Sequence, residues 1–456
     1  MNGRRGPQGS SSSRKTANGE SLESLGRQID SGDAAPTNDD GLENLGRAID
    51  AKRVGGTSGK RRRHRVRRIA LISTMALVIL VVGIAAGGYV YGYFQFKKLQ
   101  NASFCKGAVC KAEVPNKPFN VLAIGSDSRA GLPPSIARVT GGGSVTGQRS
   151  DVVKIFHVDP QAGTISVVSI PRDTMVTLLA NQNLFGRFNR VNVNYQNGPA
   201  LLAKTIEANF GIPINHIVQV GFGGLAGAVN ALGGVYMDFP YPALDVYSSL
   251  NIHHPGCQLL NGFMALAVAR SRHYQYEVNG VWNYDGTSDY GRIDRQNQFL
   301  RALIDAAKSK YNPATIASFL SALPQGVQID NTFGYNEILG LAIKFHSFNP
   351  ADLNAYTLPT YGAYNPNVGD VLYVDQPAAQ QLLVKVFGQV GTVGGLTEPT
   401  GPPPNSGLAN PEPPAVATPA THLVTSTKVR HGTTTTTVPL HSEPWYTFNP
   451  VACAPK

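Results

Sequence analysis

The sequence predicts an α/β fold, a mixed central sheet flanked by helices, preceded by one transmembrane helix. Three observations carry that prediction. Between residues 117 and 392, short runs of β-formers alternate with segments of helical period, the pattern of layered α/β folds. Ahead of them, residues 69–94 form a 26-residue stretch without a charge. Arg-Asp pairs recur at the ends of the predicted strands, where open sheets bind ligands.

Residues 1–68 hold 15 Lys/Arg and 8 Asp/Glu, so the net charge there is +7 of the chain's +11. They are rich in Ser, Gly, Asp and Asn, a composition that predicts disorder. One repeat stands out, "SLESLGRQID" at 21–30 and "GLENLGRAID" at 41–50. It reads equally as a docking element for a cytoplasmic partner or as a drifted duplication. "GGTSGK" at 55–60 lacks the first glycine and the terminal Ser/Thr of a phosphate loop. The block "KRRRHRVRR", 60–68, abuts the apolar stretch. About 20 apolar residues span a bilayer, and basic flanks stay on the cytoplasmic side. The reading is a signal-anchor helix at 69–94, N-terminus inside, bulk of the chain extracytoplasmic. The basic block then fixes orientation and touches anionic lipid, so no nucleic-acid partner is expected.

Residues 95–116 read as a juxtamembrane linker. Within 117–392, strands are predicted at 119–125, 151–158, 164–170, 216–222, 233–239, 354–360 and 371–374. Helices are predicted at 198–210, 223–232, 261–272, 292–310, 312–323, 335–345 and 376–389. Residues 393–456 are Pro/Thr-rich and read as a disordered tail, with "EPWYTF" and Cys453 positioned to tack its end back onto the domain. Cys105 and Cys110 are spaced to close a small loop. Cys257 and Cys453 could pair, although sequence does not fix connectivity.

The chemistry concentrates in a few motifs. "GSDSR" places Asp127 and Arg129 after the first strand, and "QRSD" places Arg149 and Asp151 before the second. "VSIPRDT" puts Arg172 and Asp173 where Pro171 must end the third, since proline cannot extend a ladder. "ARSRH" supplies Arg270 and Arg272. "SDYGRIDRQ" supplies Asp289, Arg292, Arg295 and Gln296, the last three at helical spacing on one face. Arg292 at a predicted helix start opposes the macrodipole, which calls for a bound anion or a nearby carboxylate. So many guanidinium groups suit a polyanion, because they grip phosphate oxygens bidentately. Asp127 and Asp151, if adjacent, suit Mg²⁺ or Mn²⁺. No G-x-S-x-G or H-E-x-x-H motif is present. Paired carboxylates alone would suit a glycosidase but leave the arginines unexplained.

Taken together, "NVLAIGSDSR", "RSDVVKI", "VSIPRDT", "RVNVNYQNGP", "GIPINHIVQVGFGGLAGAVNALGGV", "GCQLLNGFMALAVARSRH" and "DYGRIDRQNQFL" resemble the LytR–CpsA–Psr family of cell-envelope proteins. The resemblance implies a phosphotransferase that moves a glycopolymer from a polyprenyl-pyrophosphate carrier onto a muramic acid hydroxyl of peptidoglycan. It implies Asp127 and Asp151 as metal carboxylates, with Arg149, Arg172, Arg270, Arg272, Arg292 and Gln296 around the pyrophosphate. Arg295 and Asp289 fall in the same motif, with Asp289 the nominee for general base beside Arg172 and Arg292. The chain departs from the pattern in two inserts, 130–148 and 273–288, expected as rims of an acceptor cleft. Val152 stands where the family commonly has Thr. Tyr236, Met237 and Asp238 stand where actinobacterial relatives carry a second cysteine, so Cys257 needs another partner or stays free. Rival functions are a non-catalytic binding or scaffold protein for lipid-linked precursors, and a prenyl-pyrophosphate hydrolase. Gene regulation is disfavoured, because no helix-turn-helix pattern is present.

Overall fold

The computed structural model describes residues 58–101, 103–106, 109–127, 150–309, 318–319, 321–323, 326–388 and 447–454. Two units separate at Gly83/Ile84. The first contributes the N-terminal part of helix α1, Ser58–Lys97. Residues Thr74–Lys97 are long and apolar enough to cross a membrane, and Leu77, Ile79 and Val82 stand exposed along them. The helix runs past the predicted limit at 94.

The second unit contains every remaining described element. In chain order these begin with β1 (Gln100–Asn101), β2 (Phe119–Ser126), β3 (Ser150–Asp159), β4 (Thr164–Ile170), β5 (Met175–Thr177) and β6 (Phe188–Arg190). Next come α2 (Pro199–Phe210), β7 (His216–Gly221), α3 (Phe222–Ala231), β8 (Val235–Phe239), β9 (Ala243–Asp245), β10 (Leu250–Ile252) and β11 (Gly256–Leu260). They are followed by α4 (Gly262–Arg270), β12 (Gln275–Val278), β13 (Val281–Tyr284), α5 (Ser288–Ser309), β14 (Val327–Asp330) and α6 (Tyr335–Lys344). The last are β15 (Asn354–Thr357), β16 (Thr360–Asn365), β17 (Gly369–Val374), α7 (Gln376–Phe387) and β18 (Val451–Ala452).

Seven strands form the central sheet in the order β1-β14-β7-β2-β3-β4-β15. It is mixed: β2 runs parallel to β7 and antiparallel to β3. Side chains alternate across the pleat. Leu122, Ile124 and Ile155 bury against Leu202, Ile206 and Phe210 of α2 and Leu383 of α7. On the opposite face Val167 and Ala355 meet Leu300 and Ile304 of α5. Each such buried side chain contributes roughly 1.5–3 kcal/mol. A second core joins Met237 and Phe239 of β8, Val268 of α4 and Phe299 of α5 to Phe448.

One expectation needs correction, and those for the tail end and the cysteines hold. The supposed linker at 95–116 is part of the fold: β1 pairs with β14, and Phe96, Leu99, Phe104 and Val109 are buried. The end of the tail packs back onto the domain, as its aromatic run and Cys453 suggest. Strand β18 adds to β8, Phe448 stacks on Tyr276 at 4.6 Å, and Cys453 bonds Cys257. Cys105 bonds Cys110. Within the insert at 273–288, residues 275–284 form a hairpin in a four-stranded sheet. Asn279 and Gly280 turn it with φ of 52° and 79°, the left-handed pair that tight hairpins require. The N-terminal repeats, the insert at 130–148 and most of the helix predicted at 312–323 lie outside the described residues.

Candidate functional site

The site forms where β2, β3 and β4 meet the start of α5. Pairing of β2 with β3 sets Ser126 opposite Ser150, so Asp127 and Asp151 lie at adjacent strand ends. The register shifts at Gly125/Ser126, a bulge that re-aims the strand end. Glycine is needed there, because a Cβ on Gly125 would stand 2.7 Å from the Val152 Cβ.

Strand β4 stops at Ile170, and a tight turn follows. The Thr174 N–H and hydroxyl both donate to the Pro171 carbonyl, at 3.1 and 2.7 Å. This turn presents Arg172 and Asp173, each half-buried. Arg172 Nη1 donates to Asp151 Oδ1, and its Nε lies 3.4 Å from Asp173 Oδ2. Arg190 reaches Asp173 from β6 at 3.4 Å; its Nη2 also donates to the Val368 and Asp370 carbonyls. Arg272 lies 3.8 Å from Asp173 and 3.5 Å from Asp289. Behind this row, Arg292 pairs with Asp289 and donates 2.8 Å to the Asp151 carbonyl.

The network therefore sets four guanidinium groups (Arg172, Arg190, Arg272, Arg292) against three carboxylates (Asp151, Asp173, Asp289). One positive charge is left over. A cavity of about 400 Å³ opens beside it, lined by Arg172, Asp173, Arg190, Asn192, Val193 and Gln196. Asp289 Oδ2 and Arg292 Nε are buried without a hydrogen bond, while Asp289 Oδ1, Arg190 Nε and Arg272 Nε are met only by ion pairs.

The arginines set the electrostatics of the site. Burial alone would push the Asp151 carboxyl up, but Arg292 and Arg172 more than reverse it and hold it below the usual range. Beneath the site Lys154 is buried between the sheet and α5, donating to Ser169 Oγ at 2.6 Å and Asn297 Oδ1 at 2.7 Å. Burial, helped by the Arg292 charge, brings its ammonium down to about 7.

The structure thus brings Asp151, Arg172, Arg272, Asp289 and Arg292 into one network, with Gln296 at the same small cleft as Asp151 and Lys154. Asp127 sits half-buried at the adjacent strand end. Arg270 ends α4 with its guanidinium 5.1 Å from the Phe222 ring. Arg149 lies outside the described residues. Arg295 is a correction. It is 0% exposed, paired with Asp285 at 2.9 Å, bonded to Asn449 and the Ser271 carbonyl, and 4.5 Å from the Tyr274 ring. Neighbouring helix positions are about 100° apart, so Gln296 faces the cleft while Arg295 faces the second core.

A second correction concerns Arg292. Helix α5 starts at Ser288, four residues earlier than predicted, so Asp289 occupies its first turn. That sign suits the helix dipole, and the charge of Arg292 is answered by Asp289. Sequence reasoning also passed over Arg190 and Lys154. The signal for Lys154 was a lone lysine inside the apolar run "DVVKIFHV". Arg190 opens the motif "RVNVNYQNGP", but its role was not read because its partners, on β16–β17 and the β4 turn, are distant in sequence.

The chain thus has a mixed α/β sheet whose strand ends gather guanidinium and carboxylate groups beside a cavity. The chain belongs to the LytR_cpsA_psr family, whose model matches residues 91–387. It is 31% identical to the "Probable cell wall biosynthesis protein LcpB" of Corynebacterium glutamicum, over 58% of this chain and 59% of the relative. It is 30% identical to the polyisoprenyl-teichoic acid–peptidoglycan teichoic acid transferase TagV of Bacillus subtilis, over 58% and 63%. The chain thus spans about three-fifths of the length of these two curated relatives. Among solved structures, it resembles B. subtilis TagV with a TM-score of 0.47 and 27% identity, covering 60% of this chain and 98% of that one.

Proposed function

We propose that this chain transfers a glycopolymer from a polyprenyl-pyrophosphate carrier to a muramic acid hydroxyl of peptidoglycan. The observation that carries the reading is the row Arg172, Arg190 and Arg272 along one cleft, backed by Arg292. Family membership and the names of the teichoic acid transferases support it.

In this reading the arginines bind the diphosphate and stabilise the prenyl phosphate that departs. The muramic hydroxyl oxygen attacks the sugar-proximal phosphorus. A P–O bond to the sugar polymer's phosphate forms, the P–O–P bond breaks, and the hydroxyl proton passes through a site carboxylate to solvent. Positioning and charge stabilisation are enough for such a step. Asp289 is only 8% exposed and held by Arg292 and Arg272. Its role here is to orient those two groups, rather than to accept the proton.

The network's single surplus positive charge does not neutralise a diphosphate. Asp127 and Asp151, hard oxygen donors at adjacent strand ends, suit Mg²⁺ or Mn²⁺, which would supply positive charge beside the arginines. The anchoring helix would hold the N-terminus in the cytoplasm and the site outside, beside the carrier lipid.

The test is reconstitution: full-length protein in detergent, a short prenyl-pyrophosphate glycan, Mg²⁺ and peptidoglycan fragments, read by mass spectrometry. Glycan joined to the muramic residue through phosphate is the expected product. Binding alone would favour a scaffold, and glycan phosphate without acceptor attachment would favour a hydrolase.

A further inference from the structure

At the other end of β7 from the arginines lies a second constellation. His216 opens β7 and is only 3% exposed. Its Nε2 lies 3.1 Å from Glu113 Oε2 and 3.5 Å from Glu337 Oε1. One donor atom from each of the three residues lies within 4.8 Å of the others. They come from segments far apart in sequence: the stretch that follows the Cys105–Cys110 loop, the start of β7, and the first turn of α6.

We propose that Glu113, His216 and Glu337 bind one divalent transition-metal ion, with zinc the ion their donors suit best. One imidazole and two carboxylates leave a fourth position for water, as in open tetrahedral zinc sites. The supporting shell is already in place. Asp330 is completely buried, and its Oδ2 lies 3.3 Å from His216 Nδ1. It is fixed in turn by N–H groups of Ile217, Thr332 and Phe333. A carboxylate on the far imidazole nitrogen is the usual partner of a metal-binding histidine, because it sets the tautomer and aims the other nitrogen at the ion. Phe333 stacks on the ring at 4.0 Å and 13°.

The carboxylates are also aimed. The Gly334 N–H binds Glu337 Oε2 at 3.2 Å, which directs Oε1 toward His216. That Oε1 is buried, meets His216 Nε2 only at 3.5 Å, and crowds the Glu113 carboxylate on the same imidazole nitrogen, a like-charge repulsion. A cation answers it. The ion would also clip the stretch beyond the membrane helix to α6, whose Tyr335 and Asn336 already meet Tyr89. A structural ion of this kind contributes directly to folding.

The experiment uses tag-free full-length protein in detergent, stripped with chelator and then given zinc in excess Mg²⁺, so that hard carboxylate sites are occupied. After gel filtration, metal analysis should find about one zinc per chain, and zinc should raise the thermal midpoint. A Glu113→Gln/Glu337→Gln variant keeps the side-chain shapes. It should lose both the zinc and the thermal gain while retaining native circular dichroism. Asp330→Asn should weaken zinc about 10–100-fold, the usual cost of losing such a support. If the double variant fails to fold, Glu113→Gln alone, on a partly exposed stretch, decides by the same measure. Zinc no greater than in these variants, or a thermal midpoint that zinc leaves unmoved, overturns the proposal.

Discussion

Arg172 and Arg295 carry the same group into opposite circumstances. Arg172 stands at a strand exit with its side chain 22% exposed, while Arg295 is sealed between Asp285, Asn449 and Tyr274. Replacing Arg295 with Met leaves Asp285 buried and unpaired, so stability should fall by about 3–5 kcal/mol, measured by urea denaturation. Lys154 makes a pH-dependent prediction. Its proton is held near 7 in the fold against 10.5 in the open chain. Between those values the unfolded chain binds a proton that the folded one does not, so stability rises with pH through that window. Lys154→Met removes this titration and leaves Ser169 Oγ and Asn297 Oδ1 buried without their donor. The rise of stability through the window should flatten in the variant; denaturation curves at either end of the window check this. At this scale the sequence disclosed residue types but not their directions. The "RIDRQ" spacing grouped Arg292, Arg295 and Gln296, and only the placement of α5 between two cores separates them.

Among the elements, the strand-end pairing of β2 and β3 matters most to the site. Gly125→Ala must displace Val152 and with it the ends that carry Asp127 and Asp151. A loss of about 1–3 kcal/mol is expected, seen as a lower thermal midpoint. At the other end of the chain, β18 depends on the Cys257–Cys453 bond, which spans 196 residues. Cys453→Ser should cost about 2–5 kcal/mol, and deleting 393–456 should cost more, since Phe448 and Asn449 also leave the core. The main strands were legible because alternation and β-branched runs are strong local signals; β4 matches its predicted limits, 164–170. Short strands such as β5, β9 and β18 were not. They are two or three residues long and exist only because a distant partner supplies their hydrogen bonds.

For the whole molecule, the reading places a cytoplasmic N-terminus, one spanning helix and an outward-facing domain. Cysteines introduced one at a time as Asp40→Cys and Asn367→Cys test it with a membrane-impermeant maleimide on intact cells. Only the second, on the exposed β16–β17 turn, should be labelled. The basic block and apolar run carry this reading in the sequence, because membrane insertion reads composition. In the tail, "EPWYTF" and Cys453 signalled a return to the domain, but not that Phe448 completes a core with β8, α4 and α5, because those partners are distant in sequence. The most direct measurement of the central claim is single-turnover transfer by Arg172→Ala beside the natural protein, with thermal midpoints matched. Loss of one preorganised cation at the diphosphate should slow transfer by about 10²–10³-fold while the fold stays intact. Transfer at the natural rate would contradict the assignment of the arginine row as the site of reaction.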